Sequence, residues 1–130
     1  MKKNKIGKII KPGNASIWPW EEATARSLAL AGHNVEFIPK SNRARETSAD
    51  AFIDGEKWEF KAPNGKSMKL VERNLRYAVD QSDSVVFDSR RVHRIPDKAI
   101  ARELSAKLPY IRGLKRIKFV NRHGEVIDIK

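Results

Sequence analysis

Apolar side chains recur with helical spacing in three segments of the chain. In residues 67–80 they stand three or four positions apart, which places them on one face of an amphipathic helix. Similar spacing follows Pro19, which suits a first helical turn, and Pro96. The sequence therefore predicts helices over residues 19–31 and 67–80 and from Pro96 onwards. Their apolar positions include Ala25 and Leu28, then Met68, Val71, Leu75 and Ala78, then Ile100, Leu104 and Leu108.

Short runs rich in β-branched and aromatic residues predict six strands. These runs cover residues 35–38, 49–53, 56–62, 84–88, 116–120 and 125–129. Asp54-Gly55 joins the second run to the third, and such a link is a strong hairpin signal because a type I′ turn needs positive φ at both positions. The predicted order is αβββαβαββ, an α/β (α+β) domain with a mixed central sheet flanked by helices.

Length and composition indicate one domain without disulfides. The chain has 130 residues, 40% of them hydrophobic, which is enough for a single packed core. We predict a flexible basic arm over residues 1–16, with a short strand at 8–10, and a single domain over residues 17–130. The absence of cysteine excludes a disulfide scaffold and a cysteine-based zinc site. No apolar run is long enough for a membrane span or a secretory signal, so we expect a cytoplasmic protein.

The charge of the chain indicates a polyanionic partner. Lys and Arg number 27 against 16 Asp and Glu, which gives a formal net charge of +11. Nucleic acid is the leading candidate, and a basic structural protein of a ribosome or phage particle is an alternative with the same composition.

The predicted hairpin at residues 49–62 holds the most informative polar residues. With a two-residue loop, Asp50 faces Glu59 across the ladder, so two carboxylates lie with Cβ atoms about 5 Å apart and repel each other. Strand periodicity places Lys61 on the same side as Glu59. Paired carboxylates beside open water positions suit Mg²⁺, which prefers oxygen ligands. The alternative is that these charges simply face solvent on a half-exposed strand.

The first predicted helix supplies a fourth candidate, Glu21. It shares a stripe with Ala25 and Leu28, so it should point inward, where an acid is costly unless it is paired or bound to metal. The alternative is that Glu21 only complements the positive end of the helix dipole.

Basic residues after the hairpin are candidate ligands for phosphate. Four of them form a stripe on the second predicted helix, and the backbone amides at its start, near Ser67, could receive a phosphate. A solvated helix face and a plain helix cap at Ser67 are the alternatives. The nucleic-acid-binding candidates are Lys66, Ser67, Lys69, Arg73, Arg76, Arg90 and Arg91.

The spacing Asp50, eight residues, Glu59, one residue, Lys61, on a hairpin after a helix, resembles the PD-(D/E)XK nuclease superfamily. Ala49 stands where that motif conventionally has proline. The order helix, three strands, helix, strand is similar to the restriction-endonuclease-like core of the superfamily. The resemblance implies a Mg²⁺ or Mn²⁺ ion held by Asp50, Glu59 and the main-chain carbonyl of Phe60. It implies a catalytic role for Asp50, Glu59, Lys61 and Glu21.

Residues 18–130 resemble, in particular, the C-terminal nuclease domains of contact-dependent growth inhibition toxins, of the tRNase type. The stretches that carry this resemblance are LALAGHNVEF at 28–37, DGEKWEFKAPNGKS at 54–67, Asn74-Leu75-Arg76, and GEVIDIK at 124–130. It implies a single nuclease domain over residues 17–130, with tRNA or other RNA favoured over DNA. It also makes an immunity protein a candidate partner and delivery into a target cell a candidate route. A non-catalytic nucleic-acid-binding module of the same fold is the alternative.

Overall fold

A computed structural model describes residues 5–13, 16–39 and 49–129. Residues 1–4 and 14–15 of the predicted arm, and Lys130, lie outside this part of the chain. Within the described ranges the chain forms three helices and seven strands in the order βαβββαβαββ. The elements are β1 (Ile9–Ile10), α1 (Pro19–Leu30), β2 (Val35–Phe37), β3 (Ala51–Ile53), β4 (Glu56–Lys61), α2 (Lys69–Ala78), β5 (Ser84–Asp88), α3 (Asp97–Lys107), β6 (Arg116–Val120) and β7 (Val126–Ile129).

The strands form one mixed sheet in the order β1-β2-β3-β4-β5-β6-β7. The pairs β1–β2, β4–β5 and β5–β6 are parallel, and the pairs β2–β3, β3–β4 and β6–β7 are antiparallel. The prediction of a mixed α/β architecture is thus confirmed. The predicted order αβββαβαββ lacks β1, which pairs with β2, so this part of the predicted arm belongs to the sheet.

A close backbone approach fastens the segment before β1 to the domain. The N–H of Gly7 donates to the carbonyl of Ala29 at the end of α1, with N···O 2.8 Å. A Cβ atom at residue 7 would lie 1.7 Å from the carbonyl oxygen of His33. Only glycine therefore allows the segment to lie against α1 and the loop that follows it.

Strand β4 divides its pairing between two neighbours. Its first half, Glu56 to Trp58, pairs with β3, and its second half, Glu59 to Lys61, pairs with β5. The sheet consequently curls at β4, and Glu59 and Lys61 of the motif lie in the half that has left β3.

The helices cover both faces of the sheet, as the sequence predicts. On one face, Leu28 of α1 packs in a buried cluster with Phe37, Trp58 and Phe60. On the other face, α2 and α3 bury Leu75, Leu104 and their neighbours against β5 and β6. Trp58 and Phe60 point into the α1 cluster, so the alternate residues of β4, Glu59 and Lys61, point to the opposite side. None of the described helices is long and apolar enough to cross a membrane.

Helix α2 begins later and ends earlier than predicted, at Lys69 and Ala78. Ser67 Oγ accepts the N–H of Lys69 at 3.2 Å, which stabilises a turn just before the helix. Ser67 therefore stands outside the helix with a local structural partner.

Candidate active site

The turn of the β3–β4 hairpin fixes the predicted register. Asp54 and Gly55 both have positive φ, 50° and 87°, as a two-residue type I′ link requires. Ile53 pairs with Glu56 and Ala51 with Trp58, as predicted from the turn alone.

Asp50 departs from the regular ladder. Its N–H donates to the carbonyl of Trp58 at 3.1 Å, although Trp58 already pairs with Ala51. Two successive residues therefore lie opposite one, which is the arrangement of a β-bulge and re-aims the Asp50 side chain. Asp50 Oδ2 accepts the N–H of Phe60 at 2.8 Å. The carboxylate is thereby held against the second half of β4.

The same hydrogen bond orients the main-chain carbonyl of Phe60. The N–H and C=O of one strand residue point to the same edge of the strand. Because the N–H of Phe60 points to Asp50, its carbonyl oxygen is directed to that edge too. Two of the predicted metal ligands thus lie along one edge of β4.

Glu59 is a buried acid, with only 6% of the residue exposed. Burial, the largest cause, and the neighbouring Asp50 charge together raise the pKa of its carboxyl to about 8, although Lys61 lowers it. Lys61 Nζ lies 3.5 Å from Glu59 Oε2. Among the described residues, Glu59 Oε1 has no hydrogen-bond partner. A buried oxygen in this state is costly and calls for a cation or a water molecule.

These observations fit a divalent cation. Asp50, Glu59 and the Phe60 carbonyl offer oxygen donors, and a cation would relieve the repulsion between the two carboxylates. Across the described residues, no three acidic or histidine side chains are grouped to hold a metal by themselves. Water would therefore complete the coordination of a bound ion, as Mg²⁺ usually requires.

Glu21 is buried, as its position on the apolar stripe predicts, with 4% of the residue exposed. Its Oε1 accepts the N–H of Trp18 at 2.9 Å, so the carboxylate also stabilises the start of α1. This contact is the local role that the sequence offered as the alternative. Glu21 nevertheless lines the same cleft as Asp50 and Glu59.

The cleft has a volume of about 340 Å³ and brings the four predicted catalytic residues together with Phe60. It is bounded by the start of α1, the β3–β4 hairpin and α2. Its lining residues are Trp18, Trp20, Glu21, Asp50, Glu59, Phe60, Lys61, Ala62, Pro63 and Asn74. The sequence reasoning did not assign a role to Asn74. Two features of the sequence could have indicated Asn74. It is an amide next to the apolar stripe of α2, and it belongs to the stretch Asn74-Leu75-Arg76 that resembles the toxin domains.

The basic stripe of α2 lies elsewhere. Lys69, Arg73 and Arg76 surround a separate cleft of about 500 Å³ together with Glu72 and Glu103. The cations that could hold phosphates beside the metal thus line a different cleft from Asp50 and Glu59. Successive helix residues are about 100° apart, so the face with Arg73 turns away from the one that brings Asn74 to the acid cleft. Whether the stripe binds nucleic acid stays a prediction.

Arg90 has a structural partner. Its guanidinium binds the buried carboxylate of Asp88 through Nε at 3.0 Å and Nη2 at 2.7 Å. Asp88 also accepts the hydroxyl of Thr24 at 2.6 Å, which ties α1 to β5. This bidentate pair gives Arg90 a structural role, and its contact with phosphate stays a prediction.

Arg91 and Lys66 lie closer to the acid cleft. Arg91 Nη1 donates to the carbonyl of Ala62 at 3.0 Å, and its guanidinium carbon lies 5.9 Å from the centre of the Trp20 ring. Ala62 and Trp20 both line the cleft, so Arg91 stands at its rim. Lys66 is exposed in the loop between β4 and α2. Their predicted contacts with nucleic acid stay predictions.

Comparisons with known proteins identify the family and the fold of the chain. The model of the contact-dependent growth inhibition CdiA C-terminal domain matches residues 47–126, which include Asp50, Glu59 and Lys61. The fold is similar to a solved CdiA-CT/CdiI toxin and immunity complex from Burkholderia pseudomallei, with a TM-score of 0.71. That likeness covers 95% of this chain and 99% of the other at 18% identity, so it shows a shared fold. None of the curated proteins compared with the chain matches it.

Proposed function

Since the chain belongs to the contact-dependent growth inhibition CdiA C-terminal domain family, we propose that it is a metal-dependent nuclease that acts as a toxin. The observation that carries the proposal is the buried Asp50–Glu59 pair. Glu59 has a pKa raised to about 8, chiefly by burial, and its Oε1 has no partner among the described residues. A strongly perturbed acid in a cleft is typical of a functional site.

Asp50, Glu59 and the Phe60 carbonyl would hold Mg²⁺ or Mn²⁺. When bound, such an ion activates a water molecule and offsets the charge that develops on the phosphate. Lys61 lies beside Glu59 and would orient that water or contact the scissile phosphate as a point charge. Glu21, in the same cleft, would act through a water molecule while it holds the start of α1.

The arrangement supports a PD-(D/E)XK nuclease domain, and its predicted bounds of 17–130 extend toward the N-terminus to include β1. The Asp50–Glu59–Lys61 spacing stands on an antiparallel hairpin, a helix precedes it, and the second half of β4 continues into a parallel pair with β5. We propose RNA, and tRNA in particular, as the substrate in preference to DNA. A net charge of +11 supports a polyanion of either kind.

An immunity protein and action inside a target cell complete the proposal. The similar solved structure is a toxin and immunity complex, which supports a protein partner that neutralises this domain as well. We expect the cytoplasm of the target cell to be its place of action. Family membership argues against a structural role in a ribosome or phage particle.

The test is cleavage of total tRNA and of plasmid DNA with Mg²⁺, Mn²⁺ or EDTA. Wild type should cut tRNA with the metals and not with EDTA, and Glu59→Gln should lose cleavage. Glu36→Gln, an exposed acid on β2, is the matched control and should cut as wild type does.

The non-catalytic alternative predicts a different outcome. If wild type cuts neither substrate with either metal, and Glu59→Gln binds tRNA as wild type does, the enzyme proposal fails. The domain would then be a nucleic-acid-binding module.

A further inference from the structure

We propose that the loops at the carboxyl ends of β4, β5 and β6 form a platform that holds the phosphates next to the scissile one. The loop platform consists of Arg91, His93, Arg94 and Arg122. This inference rests on the proposed nuclease function, because it assigns the track that the substrate backbone follows away from the acid cleft.

Topology brings these loops to one edge of the sheet. The strands β4, β5 and β6 are mutually parallel and end at Lys61, Asp88 and Val120. Carboxyl ends of parallel strands meet at the same edge, where ligands of open α/β sheets bind. The acid cleft reaches that edge, since Ala62 and Pro63 line it.

Hydrogen bonds join the three loops into one surface. Gly65, after β4, pairs with Val92, after β5, and its carbonyl accepts the N–H of His93 at 2.7 Å. Arg122, after β6, donates through Nη2 to the carbonyl of Ile95 at 3.1 Å. The platform is therefore held in place before any ligand arrives.

The platform and the acid cleft are continuous. Asn64 follows Pro63 of the cleft, and its Oδ1 lies 3.2 Å from His93 Nε2. Arg91 bridges the two regions through its bond to the Ala62 carbonyl at 3.0 Å. A strand with one phosphate at the Asp50–Glu59 pair can thus place its next phosphates on the platform.

The platform and the α2 cleft differ in the charges that line them. The platform surrounds a cleft of about 560 Å³ whose described lining residues are Arg90, Val92, His93, Arg94 and Arg122, without a carboxylate. Asp88 neutralises Arg90, and among the described residues no acid lines the cleft beside the guanidinium groups of Arg94 and Arg122. Asp97 lies next to the platform, since its carboxylate accepts the backbone N–H of Arg122 at 3.1 Å. In the α2 cleft, by contrast, Glu72 pairs with Arg76 at 2.8 Å and with Lys107 at 3.0 Å.

The backbone of Arg94 is strained in a way that favours a function. Its φ of 66° lies in the left-handed region, which is costly for a residue other than glycine. Strained residues of this kind cluster at binding and catalytic sites. An arginine thus stands at a turn where glycine or asparagine would be more stable, which indicates that its side chain has a function.

The surface chemistry favours nucleic acid over a protein partner. Guanidinium groups bind phosphate through two parallel N–H···O bonds, whereas the core of a protein interface is apolar and aromatic. The exposed large apolar side chains of the described residues, such as Trp18, Tyr77 and Tyr110, all lie outside the platform.

The experiment measures tRNA binding as a function of salt, with EDTA and in a Glu59→Gln background, so that cleavage plays no part. Arg94→Asn removes the guanidinium and keeps a residue that tolerates positive φ. Arg122→Gln is the second variant. Arg112→Asn, an exposed arginine before β6 at the opposite edge of the sheet, is the control with the same change in charge.

Each platform variant should flatten the slope of log K against log salt by about 0.7–0.9, the loss of one phosphate contact, and Arg112→Asn should flatten it less. Equal slopes for Arg94→Asn, Arg122→Gln and Arg112→Asn would overturn the platform. Polyglutamate serves as the probe for an acidic protein surface. If the platform variants weaken polyglutamate binding and leave tRNA binding unchanged, the surface binds protein and the proposal is wrong. Wild type that binds tRNA through the platform and cuts nothing would overturn the nuclease proposal alone.

Discussion

At the scale of single residues, the raised pKa of Glu59 is the most unusual property of the site. The carboxyl is buried beside a second acid, and its pKa rises to about 8, chiefly because burial disfavours the charged form. In the unfolded chain the same group titrates near 4.5. The folded protein therefore binds this proton more tightly than the unfolded chain does.

The pH dependence of stability follows from that difference. The contribution of Glu59 to the free energy of unfolding is fully present below pH 4.5 and is lost as the pH rises through 8. With a chelator present, the melting temperature of wild type should therefore fall between pH 5 and pH 9. Glu59→Gln should flatten this decline, and Glu36→Gln should keep it. A decline of the same size in Glu59→Gln and wild type would contradict the assignment.

Asp50 affects the stability of the metal-free protein in two opposite ways, through repulsion from Glu59 and through its hydrogen bond with Phe60. Two substitutions separate these effects. Repulsion from Glu59 alone predicts that removing Asp50 stabilises the metal-free protein by up to about 1 kcal/mol. The structure adds the bond from the buried N–H of Phe60 to Asp50 Oδ2. Asp50→Ala leaves that N–H unpaired and should lower the free energy of unfolding by about 1–3 kcal/mol.

Asp50→Asn keeps an acceptor for Phe60 and removes the charge, so it should be at least as stable as wild type. Urea unfolding with EDTA at pH 9, where Glu59 is ionised and repels Asp50, measures both variants. Equal free energies of unfolding for Asp50→Ala and Asp50→Asn would show that the hydrogen bond contributes nothing.

At the scale of elements, local sequence rules predicted which helices and strands exist better than where each of them begins and ends. The Asp54-Gly55 turn sets the hairpin register because its length fixes which residues face each other. The bulge at Asp50 had no such signal, since it follows from where β3 stops and β4 turns to β5. The strand β1 was expected only as a short run in an arm, because its pairing with β2 joins residues 26 positions apart, on either side of α1.

The close contact between Gly7 and the loop after α1 predicts that a larger residue at position 7 destabilises the protein. In Gly7→Ala the new Cβ meets the His33 carbonyl 1.7 Å away, so either this segment or the loop must move. The free energy of unfolding should fall by about 1–3 kcal/mol, the usual cost of overpacking. Gly13→Ala is the control, because a Cβ there has no atom within 4 Å. Equal urea midpoints for the two variants would refute the close contact.

At the scale of the whole molecule, charge indicates the class of partner but not where it binds. Net charge of +11 is visible in the sequence, as is the stripe of cations on α2. That Arg90 binds Asp88, and that the α2 cations face Glu72 and Glu103, depends on which faces meet in three dimensions. Sequence spacing brought Asp50, Glu59 and Lys61 together because one hairpin holds all three. The loop platform gathers residues from the loops after β5 and β6, which no local pattern reports.

Because β4 pairs with both β3 and β5, the site needs two pairing steps during folding. Pairing with β3 closes a loop of two residues, whereas pairing with β5 closes one of more than twenty that includes α2. Short loops close rapidly, and contacts between distant residues form late. A chain that has formed only the hairpin has its carboxylates exposed to water and lacks the floor that β5 provides. We therefore expect Glu59 to become fully buried only once β5 has paired with β4, so a chain that has formed the hairpin alone lacks a complete site.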